Sequence, residues 1–313
     1  MKLDAEFKEL TWNTFSTLKE EFIFSDLSTI VNKDTGEIVQ RGLSASGNKC
    51  TLFKYFDSTD RAEFLICDFA KTVYYAYTDA ASERTISSLL RGSITKFCLQ
   101  HQGNFCVHAA GVQVNDTIIL FIGHKAAGKS TLTTYFKLKG CAVWCDDYAV
   151  VASETGKWIA YKGDDDLKVT PEIALQFNVP ESELQSVFTY KSKIDDSDSP
   201  ITGKYYLKGS SGLSHPDSLP VKAVFLLHPR ELSPLKIVQN QDKDKAFMFL
   251  LKEMMLPGIN SKEYLELYFN SAKKLIDEVP FYEVHAPDAI ERIEEVYQEI
   301  LKVVTAGKIE IDA

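Results

Sequence analysis

The chain has 313 residues, 45% of them apolar and 25% charged, and a formal net charge of −9. This composition excludes a disordered or fibrous chain. The acidic balance leaves no basic footprint, so nucleic acid is not an expected partner.

The opening residues, MKLDAEFKEL, carry acids where a secretory signal needs a basic segment and an apolar core. No apolar run approaches a membrane span, so a cytoplasmic protein with no membrane partner is expected. Residues 1–80 read as a small β-rich N-terminal domain. It has a helix near Thr14–Phe22, then strand-like runs over Cys50–Phe56, Glu63–Phe69 and Thr72–Thr78, separated by glycine and Asn/Asp turns. Tyr74, Tyr75 and Tyr77 fit a half-buried alternating strand first and a ligand platform second. A second domain, 81–313, opens with a helix over Ala81–Gln102. Ile86, Leu89, Leu90, Ile94, Phe97 and Cys98 recur at three and four residues there, and Gly103 closes it. Phe105–Val114 predicts a strand that turns at Asn115-Asp116 into Thr117–Ile122, an antiparallel hairpin. The six cysteines (Cys50, Cys67, Cys98, Cys106, Cys141, Cys145) show no CxxC pair and no His/Cys ligand spacing, which points to buried thiols rather than zinc or disulfides.

The hairpin leads into Gly123–Ser130, GHKAAGKS, which fits the pattern GxxxxGK[ST] between an apolar strand and a helix over Lys129–Leu138. In that arrangement the backbone of Gly123, His124, Lys125, Ala126, Ala127 and Gly128 curls so that successive N–H groups and the helix N-terminus face a polyphosphate. Lys129 reaches the outer phosphates, and Ser130, with Thr131 beside it, offers a hydroxyl to Mg²⁺. The helix ends at Lys139-Gly140, and the next strand, CAVWC, runs into Asp146 and Asp147. Two adjacent carboxylates there can divide the labour, one holding the metal and one accepting a proton, if a turn at the strand end lets both face the site. His108, in the strand before the loop, fits a packed core residue first and a functional one second.

Ala149–Ser153 and Lys157–Tyr161 form a second hairpin. Asp164, Asp165 and Asp166 then read as a solvated turn first and an extension of the metal site second, before a short helix from Pro171 to Phe177. Thr189–Pro220, rich in Ser, Asp, Gly and Pro, predicts a long loop suited to substrate recognition, with a short strand at Lys204–Leu207. Val221–His228 predicts a buried strand, followed by Arg230 as a surface residue and a strand at Leu235–Val238. Helices follow over Lys245–Met255 and Ser261–Ile276, then strand FYEVHA and a helix over Pro287–Val304. These C-terminal helices cover the core or form a subunit interface, which keeps a homo-oligomer open.

The order His108, GHKAAGKS, short helix, Gly140 and apolar strand ending in Asp146-Asp147 resembles the HPr kinase/phosphorylase superfamily, whose catalytic domain is also similar to phosphoenolpyruvate carboxykinase. The resemblance implies an α/β fold with a P-loop core and mixed sheet, and an ATP- and Mg²⁺-dependent kinase acting on a serine hydroxyl. It implies that Asp146 is the base, that Asp147 and Ser130 belong to the metal site, and that His108 lies by the transferred phosphate. Similar kinases carry basic residues at the positions of Lys168 and Lys204, which makes these substrate contacts, although lysine at 168 gives up the bidentate geometry of arginine. The arginine- and glycine-rich signature of the bifunctional HPr enzymes is not found, and the N-terminal segment differs. The likeness therefore points to relatives associated with ribosomally made, modified peptides, similar to lasso-peptide tailoring kinases, with a precursor peptide as acceptor. A non-catalytic nucleotide-binding subunit and a small-metabolite kinase use the same loop, and ATP is the default donor.

Overall fold

The computed structural model describes residues 3–32, 37–56, 61–78, 83–186, 189–191, 200–202, 205–208, 216–230, 234–254 and 262–305. The chain divides into two compact units, one of residues 1–105 and 255–268, the other of residues 106–254 and 269–313.

The first unit is built on a six-stranded sheet of β1 (Glu6–Glu9), β2 (Phe22–Asn32), β3 (Glu37–Ser44), β4 (Lys49–Phe56), β5 (Arg61–Cys67) and β6 (Thr72–Tyr77), in the order β1-β6-β5-β4-β3-β2. α1 (Trp12–Lys19) is capped by Thr11, whose side chain accepts from the Thr14 N–H. It buries Phe15 with Leu52 and Leu65. The opposite residues of the same strands, Phe53, Phe64 and Val73, meet Ile86, Ile94 and Phe97. Period-two alternation thus gives the sheet two apolar faces. The helix expected over 81–102 proves to be α2 (Glu83–Leu89) and α3 (Thr95–His101), joined by one wider turn over Leu90–Ile94. Such a turn adds a residue without breaking the apolar spacing, so periodicity does not reveal it.

The second unit contains β7 (Phe105–Val107), β8 (Ala110–Val114), β9 (Thr117–Gly123), α4 (Lys129–Leu138), β10 (Val143–Cys145), β11 (Ala149–Glu154), β12 (Lys157–Tyr161), β13 (Leu167–Val169) and α5 (Pro171–Gln176). It continues with β14 (Leu184–Ser186), β15 (Thr189–Lys191), β16 (Pro200–Thr202), β17 (Tyr205–Leu207), β18 (Ser218–Leu227), β19 (Lys236–Gln239), α6 (Lys243–Met254), the part of α7 (Lys262–Glu278) from Phe269 onward, β20 (Phe281–His285) and α8 (Ile293–Thr305), the first residues of α7 belonging to the first unit. The result is a mixed α/β architecture with several sheets. The principal one runs β10-β8-β9-β18-β12-β11-β7, with β20 also on β18 and β19 on β20.

The single strand expected over 105–114 is two, because β7 lies beside β11 whereas β8 pairs with β9, and the chain changes partner at His108-Ala109. The long loop expected over 189–220 also differs from the structure. Its described residues include β15, β16, β17 and the start of β18, and β17 pairs with β13 and β14 in a small sheet of its own. Short strands paired with distant partners leave little local signal.

One face of the main sheet presents Val112, Ile119, Phe121 and Phe225 to Leu132 and Phe136 of α4 and to Val296, Tyr297 and Ile300 of α8. Phe121, Phe136 and Phe225 are fully buried, each worth about 1.5–3 kcal/mol relative to exposure. This slab fixes where α4 begins. Among the described residues no helix is long and apolar enough to cross a membrane.

Candidate functional site

Strand parity decides the layout. β8 is antiparallel to β9, and β10 is antiparallel to β8, so β10 and β9 run the same way. β18 is parallel to β9, and β20 to β18. The ends of β10, β9, β18 and β20, together with the start of β8, therefore share one edge of the sheet. That edge receives Asp146-Asp147, the loop after Gly123, His228 and His108. With strands about 4.8 Å apart, the carboxylates leave the sheet about 10 Å from the strand that feeds the loop.

The loop itself is shaped by close approach and by two left-handed residues. A Cβ on Gly123 would stand 2.8 Å from the Leu227 carbonyl oxygen of the adjoining strand, so only glycine fits. Ala126 (φ 68°) and Gly128 (φ 99°) then turn the chain into α4. No acidic residue occupies the first turn of α4, so no side chain of that turn offsets the partial positive charge of the helix N-terminus. Ser130 and Thr131 are half-buried in that turn. The Lys129 ammonium folds back to donate to the carbonyls of Gly123 (2.6 Å) and His124 (3.3 Å).

β10 is wholly buried and stops at Cys145. Asp147 adopts φ 66°, and this left-handed turn breaks the strand alternation at the carboxylate pair. Asp146 is 7% exposed. Its carboxylate accepts the Lys168 N–H (3.0 Å), and its own N–H donates to the Asp164 carbonyl (3.0 Å). The Asp147 carboxylate is more open and forms an ion pair with the Lys168 ammonium. Burial lowers the proton affinity of Lys168, but Asp147, Tyr206 and Asp146 around it outweigh burial, so its pKa lies above the usual lysine value and the ammonium stays charged. The acidic turn after β12 is more tied down than a solvated one: Lys162 donates to Asp165 (2.9 Å) and to the Val143 carbonyl (2.7 Å).

His108, at the partner change before β8, is brought to the loop by a residue that the sequence did not single out. Glu253 of α6 contacts His124 Nδ1 at 3.0 Å with one carboxylate oxygen and His108 Nδ1 at 3.4 Å with the other. The His124 ring also meets Phe249 of α6 edge to face, with centroids 4.8 Å apart. No local sequence signal could have named Glu253, because the link spans 129 residues. Arg230 is exposed, as the sequence reading has it, yet it also stands beside the loop. A Cβ on Gly128 would lie 4.0 Å from the Arg230 Nε, and Arg230 lines the cleft beside that glycine. Beyond Arg230, an apolar cleft opens beside the loop, lined by Ala127, Gly128, Thr131, Pro287, Ile290 and Ile293. Lys204 lies outside the described residues.

Hard oxygen donors, Ser130 Oγ and the Asp147 carboxylate, are the type that Mg²⁺ takes, and the lysine now neutralising Asp147 marks it as a site for positive charge. The arrangement offers a helix N-terminus suited to an anion, a lysine beside it, and a sheltered carboxylate on one sheet edge. These are the parts that phosphoryl transfer requires.

No protein-family model matches the chain, and no curated protein matches it. Among solved structures, the Hpr(Ser) kinase/phosphatase from Coxiella burnetii is similar at 12% identity over 63% of this chain and 92% of that one, with a TM-score of 0.29. A superposition that loose supports neither fold nor function, and the reading below rests on the site.

Proposed function

We propose that the chain is an ATP- and Mg²⁺-dependent kinase that phosphorylates a serine hydroxyl of a peptide or protein. The observation carrying this is the convergence, by strand parity, of the loop 123–128, His108 and the Asp146-Asp147 turn on one sheet edge. The loop N–H groups and the α4 N-terminus hold the phosphates, Lys129 swings from the carbonyls of Gly123 and His124 to the outer phosphate, and the apolar cleft beside Arg230 takes the base. Ser130 and Asp147 hold Mg²⁺, which when bound neutralises charge on the outer phosphates. Lys168 then exchanges Asp147 for a phosphate oxygen. Asp146 accepts the proton as the serine oxygen bonds to the γ-phosphorus and the bond to the β-bridging oxygen breaks, releasing ADP. The choice of a ribosomally made precursor peptide as acceptor is supported by the sequence resemblance alone.

The test is incubation of the chain with γ-labelled ATP, Mg²⁺ and candidate peptides encoded by neighbouring genes, with the phosphate located by mass spectrometry. Phosphoserine on one peptide supports the reading. Label on a free hydroxyl metabolite instead makes it a small-metabolite kinase. Nucleotide binding with no phosphoproduct across all acceptors leaves a nucleotide-binding subunit.

A further inference from the structure

Three side chains with no role in the proposed phosphoryl transfer converge further along the same edge. Glu283 and His285 are two residues apart on β20 and so share a face. His228 follows Leu227, which pairs with Val284 in the parallel ladder, so the register brings His228 beside His285. Glu283 Oε2 lies 2.9 Å from His228 Nε2 and 3.7 Å from His285 Nε2. One ligand atom from each of the three lies within 4.8 Å of the others. The carboxylate is held from behind: Asn240 Nδ2 donates to Oε1 (2.9 Å), leaving Oε2 for the imidazoles.

We infer that His228, Glu283 and His285 form a binding site for a borderline divalent cation of the Zn²⁺, Co²⁺ or Ni²⁺ class, distinct from the Mg²⁺ site proposed at Ser130 and Asp147. Two neutral imidazoles and one carboxylate favour such an ion over Mg²⁺, which prefers oxygen ligands. Tetrahedral ligands about 2.0–2.1 Å from zinc stand about 3.3 Å apart, between the two contacts seen here. The two rings now stack nearly parallel, at 7° with centroids 4.2 Å apart, and an ion held in both ring planes requires them to splay. His285, 36% exposed, is the ring with room to turn. Asn240 supplies the outer hydrogen bond that fixes a ligating carboxylate. His228 also lines the cleft beside Gly128, so the ion sits at the cleft wall.

The experiment is titration of the tag-free full chain with Co²⁺ in excess Mg²⁺, without nucleotide, followed by visible absorption and calorimetry. The expected result is one bound equivalent with d–d bands and no thiolate charge-transfer band. His285→Ala and Glu283→Gln should abolish the bands, and Asn240→Ala should weaken binding by roughly tenfold or more. Circular dichroism on His285→Ala, the most exposed of the three positions, confirms that loss of the ion is not loss of fold. Absence of binding in Mg²⁺, or binding undiminished in His285→Ala and Glu283→Gln, overturns the site. Because no nucleotide or acceptor is present, either outcome is independent of whether the chain is a kinase.

Discussion

Replacing Gly123 with alanine tests how the loop is anchored. The added Cβ would sit 2.8 Å from the Leu227 carbonyl oxygen, 3.0 Å from Ala127 Cβ and 3.3 Å from Leu227 Cβ. The first of these is backbone, and it belongs to the parallel ladder in which Leu227 pairs with Gly123, so it cannot rotate away as a side-chain tip would. Overpacking of this kind costs about 1–3 kcal/mol. For a domain of 150–250 residues each kcal/mol moves Tm by about 2–4 °C, so the fall should be about 2–12 °C. Relief of the clash must also displace Ala127 or the end of β18, and calorimetry with a non-hydrolysable ATP analogue should show weakened binding. Gly140→Ala is the comparison. Gly140 has φ 91°, but a Cβ there would meet nothing within 4 Å, so the cost is backbone strain of about 1–2 kcal/mol without movement of the loop. It should lower Tm and leave nucleotide affinity unchanged. A Gly123→Ala protein with wild-type Tm and wild-type affinity would refute the reasoning.

Lys129→Met should remove a charge-assisted contact worth about 1.5–3 kcal/mol and weaken triphosphate binding roughly 10- to 150-fold by calorimetry. Lys168→Met frees the half-exposed Asp147 from its ion pair. The freed carboxylate no longer has a fixed cation to displace, so Mg²⁺ should bind the nucleotide-free protein more tightly than it binds the wild type, as read by calorimetry. His101 gives a pH signature. Burial, then the charge of Arg41, lowers its pKa from 6.5 to about 4, and its ring packs between Phe97 and Tyr264. The unfolded chain takes up that proton first as pH falls, so the contribution is complete above pH 6.5 and is lost between about 6.5 and 4. The urea midpoint should fall across that window in the wild type, by up to about 3 kcal/mol of stability, and fall less in His101→Phe.

What the sequence revealed of the site was what short spacing can encode. GHKAAGKS between an apolar strand and the helix at Lys129 is a local pattern, as is the hairpin turn at Asn115 (φ 52°), and both are found where spacing puts them. The carboxylate pair needs a turn at the strand end, and Asp147 adopts φ 66° there. Partners distant in the chain were not legible. The Glu253 link to His108 and His124 depends on how α6 returns to the loop, and Arg230 gains its place only because β18 runs parallel to β9. In the first unit, β2 and β3 mix serine, threonine and charged residues with isoleucine and valine, so alternation alone did not expose the six-stranded sheet.

The most direct measurement compares Asp146→Asn with the wild type in two assays, nucleotide affinity and phosphoryl transfer to the acceptor peptide. Asparagine keeps an oxygen for the Lys168 N–H but cannot take the hydroxyl proton. Affinity should be unchanged and turnover should fall by about 10²- to 10⁴-fold. Turnover equal to that of the wild type would contradict the account.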